Sequence, residues 1–86
     1  MFETTVKNAL RVPLPGRDWL HIVGINTKGN IRIGEFITDG EMNYEITAMP
    51  MICRKEITKQ ILDEMDICIS TNKNADDFLG KILYAV

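Results

Sequence analysis

The chain lacks most of the features that place a protein in a class at sight. No stretch approaches the roughly 20 consecutive apolar residues of a membrane-spanning helix, and the opening MFETTVKNALRV holds no apolar signal region. Cysteine occurs only as Cys53 and Cys68, with no second cysteine pair or histidine pair at metal-ligand spacing. Both read as buried thiols, and a reducing, cytoplasmic setting is the expectation. Histidine occurs once, at His21, with no nucleophile or metal partner beside it, and no Ser-His-Asp, Cys-His or two-carboxylate arrangement stands out. The expectation is a chain that is not an enzyme and carries no cofactor and no metal. Excess positive charge is missing too. Ten Lys and Arg against 12 Asp and Glu leave a net charge of -2, which excludes strong whole-molecule attraction to nucleic acid. Any such site must be local.

What is present is the composition of an ordinary globular domain, 45 % hydrophobic and 26 % charged over 86 residues, so residues 1–86 are expected to form one domain. A chain this short buries only about 60 % of the surface it exposes when unfolded, which favours a topology that closes on itself or self-associates. The charge is uneven. Residues 1–34 carry five basic groups (Lys7, Arg11, Arg17, Lys28, Arg32) and two acidic ones (Glu3, Asp18), whereas the remainder carries twice as many acidic as basic groups. A local basic patch from the first third is compatible with this.

Short strands separated by turn residues dominate the pattern. Residues 2–12 carry apolar side chains at irregular spacing and meet Pro13, Pro15 and Gly16, which fix a loop. Residues 19–26 read as a strand, Lys28-Gly29-Asn30 as a turn, and Ile31, Arg32, Ile33 as the returning arm of a hairpin before Gly34 interrupts the run ahead of Phe36 and Ile37. Asp39-Gly40 is a second turn signal, and Tyr44, Ile46 and Ala48 alternate with Glu45 and Thr47. Residues 65–70 and 81–86 complete a count of six strands. Helical spacing is confined to residues 56–64, where Ile57, Ile61 and Leu62 share a face, and to a single turn over 74–79 with Asn74 at its start and Gly80 after it. The expected fold is all-β: a small closed six-stranded antiparallel Greek-key barrel with one or two helical turns, since closure removes the sheet edges that invite aggregation.

Gly24 and Gly29 have the separation of the two glycines in a phosphate-binding loop. Asn30 and Ile31 follow where a Lys and a Ser or Thr would be needed, and a strand follows where a helix would begin. Gly24 is instead expected to allow a close backbone approach or a bulge, and Gly29 to shape a turn. The run PGRDWLHIVGINTKGNIRIGEFITDG, followed by Thr47-Ala48-Met49-Pro50-Met51, Arg54-Lys55, Leu62 through Ile69 and Asp77 through Ala85, resembles the second domain of translational GTPases of the elongation factor Tu type. Order and spacing are kept over nearly the whole chain, while Pro50 stands where the family commonly has an acidic residue, and 86 residues leave no room for a GTP-binding domain. The resemblance implies a stand-alone translation-protein barrel that contacts the ribosome or transfer RNA and hydrolyses nothing.

On this reading the contact residues are Arg17, Arg54 and Lys55, which match basic positions of the family and suit phosphates or acidic groups, and Trp19, which can stack on a base or anchor a partner. Met42, Met49 and Met51 are expected to fill the barrel interior. Asp63, Glu64, Asp66, Asp76 and Asp77 lack calcium-loop spacing and read as caps, turns and solvated faces. The function expected is a non-catalytic binding or adaptor module for RNA, a ribonucleoprotein or a protein partner. The alternative is a protein-interaction or homodimerisation module with no RNA role.

Overall fold

The structure, a computed structural model, describes residues 1–49 and 64–86. Six strands close into an antiparallel barrel in the order β1-β2-β5-β4-β3-β6, where β1 is Glu3–Arg11, β2 Trp19–Lys28, β3 Phe36–Thr38, β4 Asn43–Ala48, β5 Met65–Ser70 and β6 Ile82–Ala85. β2 lies beside β5 and β6 beside β3, the return connections of a Greek key. Among the described residues the only helical piece is a 3-10 turn at Ala75–Asp77; Asn74 occupies its N-cap position but makes no side-chain cap bond. None of the described helices is long and apolar enough to cross a membrane. The helix expected over 56–64 lies outside the described residues except for Glu64, which belongs to no strand or helix.

Inward positions follow from the period of two. Leu20 and Ile22 of β2, Ile37 of β3, Tyr44 and Ile46 of β4, Ile67 and Ile69 of β5 and Leu83 of β6 are buried at alternate places. On β1 the inward residues are Thr4, Val6 and Ala9, with a step of three where two is the rule. The register shifts between Val6 and Asn8 as an extra residue bulges out, and the Asn8 side-chain oxygen accepts the Ala9 N–H at 2.9 Å. The irregular apolar spacing of residues 2–12 is therefore the signature of a bulged strand. Phe78, after the 3-10 turn, packs edge-on against Tyr44 with ring centroids 5.3 Å apart.

In two places the fold departs from what the apolar spacing suggests. Residues 31–33 are not a strand: β2 continues to Lys28, passing Asn26 at a positive φ of 53°, and pairs with β1 and β5. Ile31 enters the core from irregular backbone while Ile33 is exposed, so both cannot belong to one buried face. Met42 likewise lies on the surface, whereas Met49 does pack against the core, and Met51 lies outside the described residues.

Gly24 is needed for contact. A Cβ there would sit 2.0 Å from the hydroxyl oxygen of Thr4, a buried residue bonded at 2.8 Å to the Thr27 hydroxyl. The β-branched Thr4 side chain has no room to retreat, so only glycine lets β1 and β2 close at this point.

Candidate nucleic-acid interface

The β1–β2 connection, with its two prolines and Gly16 at φ 75°, delivers Arg17 to the start of β2. The Arg17 guanidinium carbon lies 5.0 Å from the centre of the Trp19 ring, within cation–π range. Trp19 is opposite Ser70 of β5 and points away from the core, since its neighbours Leu20 and Ile69 are the inward pair. His21, two residues along β2, projects from the same outer face as Trp19, and Arg17 reaches the Trp19 ring from the loop just before the strand. His21 Nε2 is 2.9 Å from Asp66 Oδ1, which fixes the imidazole ring against β5. The Arg17 side chain makes no hydrogen bond or ion pair with any described residue, leaving the guanidinium edge open, while its backbone N–H donates to the Leu14 carbonyl at 3.2 Å.

Arg11 holds this end of the barrel together. It lies opposite the buried Leu20 and hence on the inward register of β1 at the rim. Its guanidinium donates to the carbonyl of Thr71 at 2.6 Å and to the carbonyl of Lys73, while the Thr71 N–H donates to the Asp18 carbonyl at 2.8 Å. The loop that carries Arg17 is thereby tied to the segment after β5. In the sequence Arg11 stands out only as one charge of a generally basic first third. A charge at an inward-phase position near a strand end was the available signal, but the bulge at Asn8 hid the phase.

A second polar centre lies at the β3–β4 turn, where Asp39-Gly40 forms the turn expected. The Asp39 carboxylate accepts the N–H groups of Glu41 and Met42 at 2.9 and 3.0 Å through Oδ1 and the Tyr44 hydroxyl at 3.0 Å through Oδ2. Lys73 and Lys81 place their ammonium groups 3.7 and 3.8 Å from the same Oδ2. Burial works against ionisation here, but the two N–H bonds, the Tyr44 hydroxyl and Lys73 outweigh it and lower the pKa from 3.8 to about 2. Burial pushes the Tyr44 hydroxyl up, so it stays a donor. This centre fastens β3, β4 and the β5–β6 connection and offers no free group.

Of the four residues proposed from the sequence, the structure brings Arg17 and Trp19 together; Arg54 and Lys55 lie outside the described residues. Cys68 is a buried free thiol whose pKa is raised, by burial first and then by Asp66, while Cys53 lies outside the described residues. Among the described residues no three His, Cys, Asp or Glu side chains gather as a metal site. Compared with family models, with curated proteins and with solved structures, the chain gives no significant match.

Proposed function

We propose that this protein is a non-catalytic binding module that contacts single-stranded RNA, alone or within a ribonucleoprotein, through the outer face of β2. The observation that carries the reading is the Arg17 guanidinium stacked on Trp19, with His21 next in line on the same face. Flat side chains in file along a strand, headed by a cation with an open edge, suit a nucleic-acid strand: bases stack on the rings and a phosphate meets the guanidinium. The small number of cations in the row agrees with the net charge of -2, because attraction must come from this site and not from the molecule's field. Descent from the second domain of elongation factor Tu-type GTPases, with contact to the ribosome or transfer RNA, is the form of this proposal that the sequence resemblance suggests, and the barrel closure is consistent with it.

The test is fluorescence anisotropy of a labelled single-stranded oligoribonucleotide over a range of salt. Binding through one or two phosphates gives log K falling against log salt with a slope of about -0.7 to -1.4. Arg17→Ala should flatten the slope by about one phosphate's worth, roughly 0.7. Absence of binding in the lowest salt, or a slope unmoved by Arg17→Ala, refutes the proposal.

A further inference from the structure

The opposite side of the barrel has a different chemistry. Phe36 of β3, Ile82 and Tyr84 of β6 and Val86 just beyond it are 49, 51, 37 and 71 % exposed. All four face outward: Ile82, Tyr84 and Val86 alternate with the inward Leu83, and Phe36 precedes the inward Ile37. The Val86 N–H donates to the Phe36 carbonyl at 3.2 Å, and Ile37 and Thr38 pair with Ala85 and Tyr84, so the four form a continuous stripe over two neighbouring strands. An open depression of about 460 Å³ lies beside them, lined by Glu35, Phe36, Asn43, Ala85 and Val86. Scattered apolar residues on a surface need no explanation, but a contiguous group on adjacent strands marks a contact surface.

The rim identifies what covers it. Glu3 lies opposite Tyr84, Glu45 lies opposite Phe36, and Glu35 lines the depression; all three are exposed, and none forms an ion pair with a described residue. Lys81, the basic residue next to β6, is directed toward Asp39. A second copy stacked face to face about a two-fold axis would crowd six carboxylates around one apolar patch, which like-charge repulsion disfavours. The barrel is closed, so a partner cannot add a strand to an edge and must be held by side chains.

We propose that this face binds a protein segment in which Lys or Arg residues flank an aromatic or branched aliphatic anchor, the anchor entering beside Phe36 and Val86 and the cations meeting Glu3, Glu35 and Glu45. The proposal is independent of RNA contact through Trp19; together the two faces would make the module an adaptor.

A random-peptide display selection on the immobilised full chain tests it, followed by NMR titration of one enriched synthetic peptide. Enriched sequences should carry at least two Lys or Arg around a Phe, Trp or Leu, and the peptide should shift the amides of Phe36, Ile82, Tyr84 and Val86 while leaving Trp19 unmoved. Phe36→Ser should weaken binding about tenfold or more, as loss of a central anchor does. Glu45→Gln, an exposed change that leaves the core alone, should weaken it several-fold and reduce its salt dependence. No enrichment, enrichment without basic residues, or binding indifferent to both variants overturns the proposal. So does concentration-dependent dimerisation through Phe36, or a single-stranded oligoribonucleotide shifting the same four amides.

Discussion

Replacing Asp39 by Asn keeps the shape of the side chain and removes its charge, which makes it a direct probe of how the β3–β4 turn is held. The wild-type carboxylate, its side chain wholly shielded from solvent, has its pKa lowered from 3.8 to about 2. A carboxyl held that far below its ordinary value contributes about 2 kcal/mol of stability, since each tenfold change in proton affinity is worth about 1.36 kcal/mol. Because the folded pKa lies below the unfolded one, this contribution is complete above the unfolded value near 4 and is lost as pH falls toward 2. Asn can still accept the Glu41 and Met42 N–H groups through its oxygen, but it offers Lys73 and Lys81 no charge and meets the Tyr44 hydroxyl with an amide group. Urea unfolding of both proteins from pH 2 to pH 7 should show Asp39→Asn less stable by about 2 kcal/mol at neutral pH, the gap closing below pH 4. A gap of equal size at pH 2.5 and pH 7, or none at pH 7, would refute the assignment of Asp39 as the electrostatic anchor of this turn.

Two further outcomes follow from packing and burial. Gly24→Ala should destabilise the barrel by about 1–3 kcal/mol, because the new methyl collides with Thr4. In a Thr4→Ala background the cost should fall by at least half, so a double-mutant cycle by thermal unfolding that shows strict additivity would contradict the clash. Cys68 should resist iodoacetamide in the native protein and react once urea unfolds it, because burial both hides the thiol and disfavours the thiolate. Peptide mapping by mass spectrometry that finds rapid native labelling at Cys68 would count against that burial.

The barrel was legible where local rules and tertiary demands agree. Tyr44, Ile46 and the intervening Glu45 spell a half-buried strand, and β4 is one. Asp39-Gly40 spells a turn, and Gly40 takes a positive φ of 96° there. Alternation misled at Ile31 and Ile33 because a single core-filling side chain on irregular backbone looks, over three residues, like a strand. The bulge at Asn8 was visible only as disorder in the apolar spacing, since a one-residue insertion is meaningless without the partner strand that reveals it. For the candidate site, the Arg17–Trp19 contact needs two residues of chain and could be anticipated. The grip of Arg11 on Thr71 and Lys73 and that of Lys73 and Lys81 on Asp39 join segments more than 30 residues apart, and nothing in a linear reading brings them together.

Trp19 is the sole tryptophan, so its emission reports directly on the place where a base is proposed to stack. Titration with a single-stranded oligoribonucleotide at low salt should quench and shift that emission in a saturable way, and raised salt should reverse the change. Emission that stays constant through the titration, at a salt concentration where anisotropy of the labelled RNA reports binding, would place the RNA elsewhere and contradict the account.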